Sequence, residues 1–109
     1  MTKKQMMETI NAEIDHLEAI ADSNYRAVLN LYSKITGEIK PYGSATGEMV
    51  KEAKRIFQER GMDMSVTYDI EIIAIEYRRL QSEAYALRSI FEALFNKPIY
   101  EYRAQVVTL

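Results

Sequence analysis

The sequence predicts an all-α fold in which two long, antiparallel, heptad-patterned helices and one shorter helix form a hairpin or bundle that oligomerisation completes. Two long segments repeat apolar residues at alternating spacings of three and four, the pattern of a helix with one apolar face. Four glycines and two prolines in 109 residues are few, which favours long regular elements over a loop-rich fold. The length is near that of one domain, so we treat 1–109 as a single helical domain.

The first helix is predicted over 3–36, because one apolar seam runs through it without changing register. The seam positions are Met7, Ile10, Ile14, Leu17, Ala21, Asn24, Val28, Leu31 and Ile35. The polar run Asp22, Ser23 and Asn24 could instead begin a new helix, but Ser23 lacks the Glu or Gln three residues later that a capping box requires. Asn24 is therefore predicted to face inward, with its amide hydrogen-bonded, and to set the packing register.

A loop over 37–47 and a second helix over about 47–60 follow. The loop holds three of the four glycines and one of the two prolines, and Gly37 is a suitable stop for the first helix. Thr46 is the predicted cap of the second helix, with Glu48 in its first turn, and Gly61 ends it. A helix of this length is too short to be stable alone, so it must pack against another part of the protein.

The third helix is predicted over 65–95 and carries the second long seam. Its seam positions are Val66, Ile70, Ile73, Tyr77, Leu80, Ala84, Leu87, Phe91 and Leu94. The alternation in "VTYDIEI" suggests a strand, but the heptad pattern persists too long for one. Ile72 and Ile75 lie off the seam, so the first half of this helix is apolar on several sides and is expected to be buried in the core or between subunits.

The remaining segments and the packing residues complete the architectural prediction. Asn96, Lys97 and Pro98 form an ordinary helix ending, and residues 98–109 are open to three interpretations: a short helix, an added strand or a disordered end. The predicted interface and packing residues are Asn24, Ile70, Ile72, Ile73, Ile75 and Tyr77.

The sequence contains few residues suited to catalytic or metal chemistry. Without cysteine, thiol catalysis and cysteine-based zinc sites are excluded, and the single histidine, His16, would have to serve any nucleophile system alone. Glu13 and His16 have the spacing of di-iron helical bundles, yet neither lies on the apolar seam, so a solvated helix face is the preferred interpretation. We predict no enzyme activity, no catalytic residue, no metal and no cofactor.

Nucleic-acid binding is the first alternative considered. Lys51, Lys54 and Arg55 could form a basic face on the second helix. The net charge of −2 provides no global basic field, and the next helix opens with acidic residues that would repel phosphates. Such binding is therefore an alternative that we do not favour.

The sequence favours a non-enzymatic oligomeric helical interaction module, an adaptor, regulator or inhibitor of a larger protein. The expected partners are the chain itself and another protein, with Tyr25, Tyr32 and Tyr85 as candidates for the outward contact surface. No segment resembles a signal peptide or a membrane span, so a cytoplasmic location and no membrane contact are expected. The second alternative, well behind, is a metal-binding bundle that uses Glu13 and His16.

Overall fold

The computed structural model describes residues 1–107, and these contain helices and no strand. The helices are α1 (Lys3–Thr36), α2 (Thr46–Glu59), α3 (Tyr68–Phe95) and α4 (Ile99–Val107), with a 3-10 turn (Met64–Thr67) before α3. The all-α prediction is therefore confirmed. Among the described residues, no helix combines the length and the apolar character that crossing a bilayer requires.

Helix α1 is continuous through Asp22, Ser23 and Asn24, as the unbroken seam predicted. It ends at Thr36, and Gly37 follows with a positive φ of 77°, a conformation that glycine adopts without steric cost. The amide of Gly37 donates to the carbonyl of Ser33 at 2.8 Å, which satisfies one of the last carbonyls of the helix.

The other helix boundaries differ slightly from the prediction. Thr46 is the buried first residue of α2 rather than its cap; Ala45 holds the cap position, without a side-chain hydrogen bond. Helix α3 begins at Tyr68 and not at 65, because a 3-10 turn precedes it. At the start of this turn, the carboxylate of Asp63 accepts a hydrogen bond from the amide of Ser65. Asn96 ends α3 in the left-handed region, with φ at 53°.

The tail contains helix α4, which is one of the three conformations left open for it. Residues 108–109 lie outside the described part of the chain. The prediction of a single domain stays a prediction, since the chain divides into two compact units.

The first unit comprises residues 1–19 and the chain from Leu80 onward. Its core is formed by Ile14 of α1, Phe91 of α3 and Ile99 of α4. The ring of Phe91 lies 4.8 Å from that of Phe95 and 5.4 Å from that of Tyr102. Aromatic packing thus holds α4 in place within this unit.

Charged side chains reinforce the first unit at its surface. Arg103 of α4 contacts Asn11 at 2.8 Å and Asp15 at 2.7 Å, both on α1. Arg88 of α3 donates from its Nε to Glu18 at 2.9 Å. These pairs are partly exposed, so each adds little stability by itself.

The second unit spans Ile20–Arg79 and contains α2. Its buried core cluster consists of Tyr25, Val28, Tyr32, Met49, Val50, Ile70 and Ala74. These residues come from α1, α2 and α3, so the short helix α2 packs between the apolar faces that it needs for stability. An ion pair of 2.9 Å between Lys54 and Glu71 also joins α2 to α3.

Candidate protein-interaction surface

Helix α3 carries apolar side chains on two opposite faces within the second unit. Ile70 and Ala74 are buried at 0% and 1% exposure, whereas Ile72, two positions from each, is 63% exposed. At 3.6 residues per turn, a shift of two positions leads to the opposite side of a helix. One apolar face of α3 therefore forms the core of this unit, and the other remains at its surface.

The exposed face follows a regular spacing. Tyr68, Ile72, Ile75 and Arg79 are separated by four, three and four residues, which aligns them along one side of the helix. Tyr68 is 56% exposed and Ile75 59%. We call these four residues the outer row. Its middle is apolar, one end is a phenol ring, and the other end is a guanidinium group.

Arg79 is oriented by a carboxylate of its own helix. Its Nε donates to Oε2 of Glu76 at 3.0 Å and its Nη2 donates to Oε1 of the same residue, a two-point contact. The guanidinium beside it lowers the pKa of Glu76 below the usual range of a glutamate. The pairing defines the plane of the guanidinium group at the end of the outer row.

The structure contradicts part of the predicted tyrosine surface. Tyr25 and Tyr32 are buried, at 4% and 0% exposure, so the prediction that they form an outward contact surface is wrong. Both lie beside the α1 seam, where Met49 and Val50 of α2 join the same core cluster and widen the buried face of α1. Tyr85, the third candidate, is exposed on α3 in the first unit.

The hydroxyl groups of the two buried tyrosines hold the loop that leads to α2. The Tyr25 hydroxyl donates to the carbonyl of Ser44 at 2.7 Å and accepts from the amide of Gly43 at 2.8 Å. The Tyr32 hydroxyl donates to Glu38 at 3.2 Å. Burial, together with hydrogen bonding to Glu52, raises the pKa of Tyr32 to about 12. Their role is therefore internal.

A third tyrosine of this loop packs at the surface. The Tyr42 hydroxyl donates to Oδ1 of Asp22 at 2.5 Å, and the guanidinium of Arg26 lies 5.1 Å from the Tyr42 ring centroid. Hydrogen bonds from Tyr42 and then from Arg26 lower the pKa of Asp22. Asp22, which belongs to the polar run that could have begun a new helix, thus anchors the loop through Tyr42.

The predicted packing residues divide between the core and the surface. Ile70 is in the core cluster, and Ile73 and Tyr77 are half-buried against it. Asn24 is half-buried, and its side chain makes no hydrogen bond within residues 1–107, so the predicted hydrogen-bond partner of its amide stays a prediction. Ile72 and Ile75 are exposed in the single chain, so their burial in an assembly stays a prediction.

The basic residues of α2 are balanced by nearby carboxylates. Lys54 pairs with Glu71 and Arg55 with Glu59, each at 2.9 Å, and Lys51 lies 3.9 Å from Glu48. The helix carries three acidic and three basic residues, so this face has no excess of positive charge to attract phosphates.

Glu13 and His16 are both exposed on α1, the solvated face that was preferred for them. Among the residues that the structure describes, no three His, Cys, Asp or Glu side chains are grouped closely enough to hold a metal ion.

A groove of about 630 Å³ lies in the first unit, beside the start of α1 and along α4. Its lining residues are Lys4, Met7, Glu8, Asn11, Lys97, Tyr102, Gln105 and Val106. Lys97 donates to Gln105 at 2.6 Å across it. Two lysines and one glutamate are among the lining residues, so both signs of charge are present in the groove.

The sequence pattern indicated Ile72 and Ile75, the middle of the outer row, but not Tyr68 and Arg79 at its ends. Ile72 and Ile75 were recognised because they are apolar residues off the seam. Tyr68 and Arg79 could have been found by extending their spacing by four residues in each direction. No family model, curated protein or solved structure is significantly similar to this chain.

Proposed function

We propose that this protein is a non-enzymatic helical interaction module that self-associates and acts by binding a larger protein as an adaptor, regulator or inhibitor. The single observation that carries the proposal is the outer row of α3. Its isoleucines are 63% and 59% exposed in the single chain, and contact with another protein would remove this apolar surface from water, which is favourable.

The architecture that we propose is a pair of long antiparallel helices completed by oligomerisation. The core contacts support it, because Ile14 near the start of α1 packs with Phe91 near the end of α3. In the second unit, Tyr25 and Val28 pack with Ile70 and Ala74 near the start of α3. A cytoplasmic site of action belongs to the same proposal, which the cysteine-free composition supports.

The outer row is small for a stable interface. A standard protein interface buries about 800 Å² per partner, which a few side chains on one helix do not reach alone. We therefore expect a weak and reversible self-association, whose extent depends on protein concentration.

The test is the Ile72→Asp variant, measured by light scattering or sedimentation over a wide range of protein concentration. We expect the mass of the unmodified protein to rise with concentration and the mass of the variant to remain that of a monomer. An aspartate in the contact would lose hydration without gaining a partner. The variant should keep its helical circular dichroism, because Ile72 is exposed in the single chain.

The matched control is Ile39→Asp, the same change at an isoleucine of the loop that is 87% exposed. It should associate like the unmodified protein. A monomeric mass for the unmodified protein at every concentration would contradict the proposed self-association.

A further inference from the structure

We infer that the outer row binds the outer row of a second copy of this chain in the antiparallel direction, with each Tyr68 ring against the Arg79 guanidinium of the other copy. This inference rests on the proposed function and names the partner and the orientation. It concerns only residues of the second unit.

The spacing of the outer row allows both of its ends to contact the outer row of a second copy at the same time. Because the intervals are four, three and four, the row reads the same from either end. Two antiparallel copies therefore place Ile72 level with Ile75 and Tyr68 level with Arg79, twice in each dimer. Eleven residues separate the two ends, about 16 Å along the helix, and this separation is identical in the two copies.

The chemistry of the ends selects the antiparallel direction. A cation attracts the face of an aromatic ring, so Tyr68 against Arg79 is a favourable contact. An arginine whose in-plane N–H groups bind a carboxylate can stack its flat face on a ring at the same time, and Arg79 has this two-point contact with Glu76. In a parallel pair, each Arg79 would lie beside another Arg79 and each Tyr68 beside another Tyr68, so no ring–cation contact between the copies would form.

The occupant of the row is therefore a second copy, because the row is complementary to itself. The apolar middle provides the attraction, and the two ends provide the direction. Association should weaken about ten-fold in Arg79→Glu, since the ring–cation contact occurs twice per dimer. Arg60→Glu, the same charge change at the exposed end of α2, should have no such effect.

Cross-linking tests the orientation, since the chain has no cysteine of its own. Tyr68→Cys and Arg79→Cys are prepared with tags of different mass and treated with a short thiol cross-linker, separately and mixed. Antiparallel pairing predicts the mixed product and little product from either variant alone, because identical positions are then about 16 Å apart. The exchange variant Tyr68→Arg with Arg79→Tyr should associate as the unmodified protein does.

The outcomes separate this inference from the proposed function. Cross-links between identical positions would show parallel pairing and overturn the inference, while self-association would stand. A rise in mass with concentration but no cross-link of either kind would place the contact on another face and also overturn the inference. A monomeric unmodified protein at all concentrations would contradict the proposed function itself.

Discussion

At the residue scale, Tyr32 shows how burial changes the chemistry of one side chain. Its pKa rises from 10.0 to about 12, first because the ionised phenolate would be buried and then because Glu52 and Glu38 are near its hydroxyl. Because the pKa of Tyr32 is higher in the folded protein, the unfolded chain loses the hydroxyl proton at a lower pH than the folded protein does. Stability from the neutral hydroxyl is therefore fully present below pH 10.0 and is lost as the pH rises toward about 12.

The expected result is an alkaline loss of stability that the Tyr32→Phe variant lacks. The free energy of unfolding in urea should fall steeply from pH 10 to 12 in the unmodified protein and less in the variant. Absorbance of ionised tyrosine should show a late-titrating group that the variant lacks, while Tyr42 and Tyr77, whose pKa is also raised, titrate late in both proteins. If the unmodified protein and the variant lose stability in parallel, the raised pKa of Tyr32 is wrong.

The same residue shows why the burial of Tyr25 and Tyr32 could not be predicted from the sequence. A heptad seam describes contacts between two helices, and it assigns Tyr25 and Tyr32 to the flank of that seam. In the structure, Met49 and Val50 of α2 belong to the same buried core cluster as both tyrosines. The position at which a short helix docks depends on contacts distant in sequence, which the pattern of α1 alone does not contain.

At the element scale, the bounds of the helices were predictable because local signals mark them. Gly37 and Asn96 end α1 and α3 in left-handed conformations, as glycine and asparagine commonly do. The start of α3 was less predictable, because a 3-10 turn precedes it, which includes hydrogen bonds from Ser65 to Asp63 and from Thr67 to Met64. The conformation of the tail depended on its packing against Phe91, which no local pattern shows.

The continuity of α1 leads to a prediction about Asn24. This side chain is half-buried without a hydrogen bond among the described residues, so an apolar side chain at this position would break no hydrogen bond there. Asn24→Leu should raise the melting temperature, since leucine has the higher helix propensity and buries apolar area. Ser23→Ala should change it little, because no helix begins at that residue.

Thermal unfolding followed by circular dichroism measures both variants. A loss of about 0.5–2 kcal/mol in Ser23→Ala, the usual cost of removing a cap, would mean that α1 is interrupted there. An unchanged melting temperature in Asn24→Leu would mean that position 24 contributes nothing to packing.

At the scale of the whole molecule, α3 is involved in both folding and the proposed association. One of its faces packs against the core, and the opposite face carries the outer row. Ile73 is half-buried against the core cluster, whereas Ile75 belongs to the outer row and is 59% exposed. Two residues apart, they allow the same substitution to be made on the two faces of one helix. The sequence predicted both as packing residues, but it could not tell which of them supports the fold of the single chain.

The final prediction therefore compares Ile73→Asp with Ile75→Asp. Ile73→Asp should lower the free energy of unfolding by about 2–4 kcal/mol, because a charge would lie against the apolar core. Ile75→Asp should leave the unfolding of the dilute protein within about 0.5 kcal/mol of the original and abolish the rise in mass with concentration. Urea unfolding at low concentration and sedimentation at high concentration measure the two effects separately. If Ile75→Asp unfolds the dilute protein, then the outer row stabilises the single chain and is not a contact surface.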